Sequence, residues 1–75
     1  MIKNNSTRIT GKREKGLSVF AFGGVANGVT VRGAYYEAEN ITLTPEFPLG
    51  VSNHFIGKEV EITVKDGSLL IFFEI

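Results

Sequence analysis

The sequence contains no cysteine, no tryptophan, two prolines and a single histidine in 75 residues. Without cysteine there is neither a disulfide framework nor a thiolate zinc site, and His54 alone cannot hold a metal, so neither a metal nor a cofactor is expected. No run approaches the roughly 18 consecutive apolar residues of a membrane span. Met1 to Gly16 also lacks the apolar stretch of a secretory signal. The expectation is a soluble, cytoplasmic chain with no membrane partner. Net charge is missing as well, because eight Lys and Arg balance eight Asp and Glu. A chain this short makes one domain and buries only about 60% of the surface its unfolded form exposes. With covalent staples absent, stability must come from a well-packed small core or from self-association, and a homodimer is one expectation.

The zero charge conceals a division. Residues 1–16 hold five basic side chains (Lys3, Arg8, Lys12, Arg13, Lys15) and one acidic one, a balance of +4, whereas residues 17–75 hold three basic and seven acidic, a balance of −4. The first segment is polar, with Ile2 and Ile9 as its apolar residues after Met1. So little apolar surface cannot offset the entropy of ordering, and the pattern predicts a flexible basic arm over 1–16 and a folded domain over 17–75. A mobile basic arm is a phosphate-contacting element when the partner is nucleic acid, and a solvated tail otherwise.

After Gly16 the pattern is that of strands. Leu17 to Phe22 is apolar with β-branched and aromatic character and stops at Gly23-Gly24. Asn27-Gly28 supplies turn residues, which predicts a chain reversal there. Val29 to Glu37 then alternates, with Gly33 marking a bulge or bend. The alternation places one of Tyr35 and Tyr36 in the core and the other outside. Ile41 to Thr44 is short and ends at Pro45. Glu46 to Asn53 reads as an irregular stretch tucked onto the core by Phe47, Leu49 and Val51. In Lys58 to Lys65, Val60, Ile62 and Val64 point inward. Asp66-Gly67 then predicts a tight hairpin turn into a final strand, Ser68 to Ile75, with Leu69, Ile71, Phe73 and Ile75 on one face. No segment keeps a 3.6-residue period over a helix's length. The expected fold is all-β, a small barrel of about five strands of the SH3-like or OB-like kind.

Catalytic constellations are missing. His54 has no cysteine near it and its nearest carboxylate in sequence is Glu59, so local motifs do not assemble a nucleophile with base and orienter, and Phe22 to Gly28 lacks the Gly-Lys-Ser/Thr ending and following helix of a phosphate loop. A non-catalytic binding module is expected, not an enzyme. For nucleic acid, the candidate contacts are the basic residues Lys3, Arg8, Lys12, Arg13 and Lys15 of the arm together with Arg32, Tyr35 and Tyr36. Small barrels stack bases on exposed aromatics while basic side chains follow the backbone. For a protein partner, Leu70 and Phe72 are the candidates, since they make the last strand apolar on its second face.

Residues 28–39 and 55–64 resemble the C-terminal β-barrel of Mu-type transposases, through Gly33, Tyr36, Ala38 and Glu39 and then Gly57, Lys58, Val60, Ile62 and Val64. The resemblance implies a small barrel that assists DNA transactions without catalysis of its own. Residues 33–37 and 60–71 also bear a weaker similarity to SymE-type toxins of the AbrB superfamily, which implies an RNA target. The expectation from residues and resemblance together is a nucleic-acid-associated accessory protein, with a protein-interaction or inhibitor module as the alternative and an RNA-targeting toxin as a distant one.

Overall fold

One strand belongs to two sheets. The computed structural model describes residues 1–46 and 49–74, and of 49–52 the backbone alone. Its seven strands are β1 (Ile2–Lys3), β2 (Ser6–Thr10), β3 (Gly16–Arg32), β4 (Ala38–Leu43), β5 (Leu49–His54), β6 (Glu59–Thr63) and β7 (Asp66–Phe73). The 17-residue β3 pairs with β5 and β7 through its first part and with β4 and β6 through its second. β1 adds to β7 and β2 to β6, so the order along the main path is β1-β7-β3-β6-β2. The result is an all-β, nearly closed small barrel, as the sequence pattern predicts, with seven strands in place of about five.

The core fills the space between the two parts. Leu17, Val19 and Ala21 point inward from the first part of β3 and Val29 and Val31 from the second. They meet Val60 and Ile62 of β6, Leu69 of β7 and the ring of Phe55, all buried. Period-2 alternation is what lets each strand give one face to this core. Between the two parts the register shifts from Phe22↔Ser68 to Asn27↔Asp66, a bulge that changes the direction of β3 without ending it.

Three sequence expectations change here. Asn27-Gly28 does not reverse the chain, because β3 runs through it and Asn27 pairs with Asp66. Asp66-Gly67 is not a hairpin turn either. β6 pairs with β2 and β3, while β7 pairs with β1 and β3, so residues 64–66 carry the chain across from one part of the barrel to the other. Gly67 makes the crossing possible. Its φ is +120°, and a Cβ there would lie 2.8 Å from both Ala26 Cα and the Val25 carbonyl oxygen. Finally, Leu49–His54 is a strand on the edge of β3, not an irregular stretch. The expected packing of Phe47, Leu49 and Val51, and the inward place of Ile75, lie outside the described residues.

The segment expected as a free basic arm is built into the barrel. Ser6–Thr10 pairs residue for residue with β6, half-burying Thr7 and Ile9 opposite Ile62 and Val60, and Ile2–Lys3 pairs with β7. The charges explain part of this. Arg8 stands opposite Glu61, and its Nε lies 3.4 Å from the Glu61 carboxylate. Cross-strand pairs of opposite charge favour this register, and Arg8–Glu61 is one such pair between the basic segment and the acidic body. The bond from Gly11 N–H to the Lys58 carbonyl and that from Glu14 N–H to the Phe55 carbonyl continue the attachment.

Candidate functional site

The residues singled out in the sequence do not converge. Lys3 lies on β1, Arg8 on β2, and Lys12, Arg13 and Lys15 in the connection that follows; all but the half-buried Lys15 are exposed. Arg32, at the end of β3, is held by Glu39 at 2.9 Å. Tyr35 and Tyr36 are both exposed, at 59% and 55%, which corrects the expected division of the pair between core and surface. The reason is Gly33. Its φ of +92° ends the strand, and Ala34 instead enters the core as the bridge partner of Phe55, so the alternation does not reach the tyrosines. Leu70 is half-buried, and Phe72 is exposed with its ring edge-on to Phe20 at 5.6 Å.

A different constellation forms where β3 begins. Leu17 is flanked by Asn53 on β5 and Phe73 on β7, and Ser18 lies opposite Phe72. Around this end of the three-strand segment is a cleft of ≈ 310 Å³, bordered by Gly16, Leu17, Ser18, Asn53, Phe72 and the Phe73–Glu74 pair. That volume falls at the lower end of the roughly 300–1,000 Å³ of small-ligand sites. One wall is anchored by residue 74. The Gly16 N–H donates to Glu74 Oε1 at 2.5 Å, and the Glu74 N–H donates to the Gly16 carbonyl at 2.9 Å.

Asn53 anchors the opposite wall. It is 3% exposed, the one buried polar residue among those described. Its Oδ1 accepts from the Tyr36 N–H at 2.9 Å and the His54 N–H at 3.0 Å, and its Nδ2 donates to the Tyr36 carbonyl at 3.0 Å. The amide thereby acts like one rung of a ladder and fastens residues 33–37 to β5. Its partners satisfy a group that would otherwise be costly to bury. Above this rung the Tyr35 ring stacks on His54 at 4.8 Å and meets Tyr36 edge-on at 4.7 Å.

Sequence reasoning missed Gly16, Ser18, Asn53, Phe73 and Glu74 as cleft residues. One signal was available. Asn53 has the same parity as Phe55, so a strand reading would have placed a lone amide among inward positions and demanded partners for it. The others come together through long-range pairing and carry no local mark.

A second cleft, of ≈ 410 Å³, occupies the open seam of the barrel between β2 and the β1–β7 pair. Ile2, Ile9, Ile71 and Phe73 line it, with Arg8 at its border. Among the described residues no group of three or more His, Cys, Asp or Glu side chains is placed to hold a metal ion. No helix among them is long and apolar enough to cross a membrane.

Fold and clefts define an all-β domain of the barrel or jelly-roll kind with room for a small molecule. Residues 6–69 match the family described as thiamin pyrophosphokinase, vitamin B1 binding domain, and the chain belongs to that family. Two solved structures share its fold. Thiamine pyrophosphokinase from Bacillus subtilis aligns over 96% of this chain with a TM-score of 0.82 at 20% identity. Thiamin pyrophosphokinase from Geobacillus thermodenitrificans aligns over 97% with a TM-score of 0.83 at 14% identity. The chain spans about a third, 34%, of each of those proteins. No curated protein matches the sequence.

These matches overturn the resemblances to Mu-type transposases and SymE-type toxins. Gly33, Val60, Ile62 and Val64 describe a bend and a core-facing strand, features that unrelated barrels share. The nucleic-acid reading falls with them, as does the alternative of a protein-interaction or inhibitor module. The electrostatic basis of the nucleic-acid reading, a free basic arm, is absent because that segment is paired with an acidic strand. The expectation of a non-enzyme is refined as well: the family is a binding domain, and the protein its name places it in is an enzyme.

Proposed function

We propose that this chain is the vitamin B1 binding module of a thiamin pyrophosphokinase and that it holds thiamin in the cleft around Gly16, Asn53 and Phe72. The family match over residues 6–69 carries the reading. The choice of cleft rests on chemistry. Thiamin joins an aminopyrimidine to a cationic thiazolium ring. The cleft at the start of β3 offers the exposed Phe72 ring and the Glu74 carboxylate. Aromatic faces and carboxylates both attract a flat cation. The seam cleft is bordered by the Arg8 guanidinium, which repels one. The chain's part in the enzyme is binding, and no residue here is assigned to pyrophosphoryl transfer. A cytoplasmic location forms part of the same proposal, and cell fractionation tests it.

Calorimetric titration of the chain with thiamin should give saturable one-site binding. Phe72→Ala should weaken it at least several-fold, while Arg8→Ala leaves it unchanged. Absence of saturable heat up to about 1 mM, equivalent to less than ~4 kcal/mol of binding, would remove the reading.

A further inference from the structure

Resting on the thiamin-binding reading, a further step concerns which charge the cleft admits. Glu74 is the one ionisable side chain among its described lining residues. Lys15 precedes Gly16 in the chain but does not border the cleft. The carboxylate is held in place: the main chain and the side chain of residue 74 both bond the Gly16 backbone. Glycine at 16 makes this approach possible, since a Cβ there would stand 2.7 Å from Glu74 Oε1. An ionised carboxylate has about four acceptor positions, so one anchoring bond leaves capacity for a ligand. Phe72 adds a ring that is 59% exposed and oriented by its edge contact with Phe20. Fixed negative charge beside an aromatic face attracts a flat cation and repels an anion, and specificity needs both the attraction and the repulsion.

We infer that Glu74 is a specificity-determining residue, which with Phe72 selects a flat, cationic heteroaromatic ring and rejects ligands that carry phosphate. The cleft then favours unphosphorylated thiamin over its phosphate esters, and a phosphorylated product is held less tightly than the substrate.

The test compares thiamin, thiamin monophosphate, an N-benzylthiazolium salt and the neutral thiazole as ligands of the full chain. Glu74→Gln keeps an oxygen to accept the Gly16 N–H, so the fold is retained. Glu59→Gln, on the outer face of β6, controls for overall charge. Thiamin should bind better than the monophosphate. Glu74→Gln should weaken thiamin and strengthen the monophosphate by about 2- to 5-fold each, the range for a partly exposed ion pair, with no such change for Glu59→Gln. The preference should also shrink as salt is raised. If thiamin binds and Glu74→Gln leaves the ratio of the two ligands unchanged, the inference falls while the binding reading stands. If thiamin does not bind but the thiazolium does, better than the neutral thiazole and through Glu74, the binding reading falls while the charge selection stands. If neither cation binds, both fall.

Discussion

At the scale of the residue, Asn53 and Gly67 hold positions that no other residue type can fill at equal stability. The Asn53 amide satisfies three backbone groups at once, the Tyr36 N–H and carbonyl and the His54 N–H. Asn53→Ala leaves them without that partner and should lower stability by about 1–3 kcal/mol, seen as a fall in the urea midpoint at unchanged slope. It should also release the edge-on contact of Tyr35 with Tyr36, detectable as a change in the tyrosine ring resonances. Gly67 is a conformational requirement. Gly67→Ala forces a side chain into a left-handed backbone and toward Ala26, and should cost at least ~1–3 kcal/mol in the same measurement. Of these two, Gly67 is visible in the sequence as a special position, but for the wrong reason. An Asp-Gly pair signals positive φ without saying whether the chain reverses or crosses over.

At the scale of the element, the decisive piece is the pairing of β2 with β6. Five consecutive residues of β2 are in register with β6, which places Thr7 and Ile9 over the inward side of the strand. Deleting residues 1–10 removes β1 and β2 and exposes one edge of β6. A 75-residue domain is stable by only about 4–11 kcal/mol, so the shortened chain should lose its cooperative unfolding transition by circular dichroism. Arg8→Ala, by contrast, should cost no more than ~0.2–1 kcal/mol, because the ion pair with Glu61 is largely exposed. The comparison separates strand pairing from charge as the source of the attachment. The alternation Thr7-Arg8-Ile9-Thr10 was present in the sequence, but its low apolar content outweighed its periodicity. Strand edges of this kind gain their stability from a partner that sequence reading cannot see.

At the scale of the whole molecule, a small barrel with open clefts among its described residues and no disulfide gives a ligand considerable leverage over stability. Binding to the folded state alone adds about 2.7 kcal/mol at a ligand concentration one hundred times Kd. For a domain of this size each kcal/mol moves the midpoint by about 4–8 °C. Saturating thiamin should therefore raise the melting temperature by about 10–20 °C, measured by differential scanning fluorimetry or calorimetry. The same concentration of thiamin should do much less for Phe72→Ala.

The sequence by itself determined the class of fold. Period-2 alternation at Leu17–Val19, Val29–Val31 and Val60–Ile62–Val64 specifies which side of each strand is buried, and that reading depends only on neighbours along the chain. Absence of cysteine was equally legible. Tertiary structure alone decided which strands pair, that β3 bends between two parts of the barrel, and that a segment with net positive charge closes onto an acidic strand. It also decided the cleft, whose walls come from residues 16–18, 53 and 72–74. Alternation fixes facing but not partnership, since any strand with an apolar side can pair with several others. The choice among them is made by the shared core, which is a property of the whole chain.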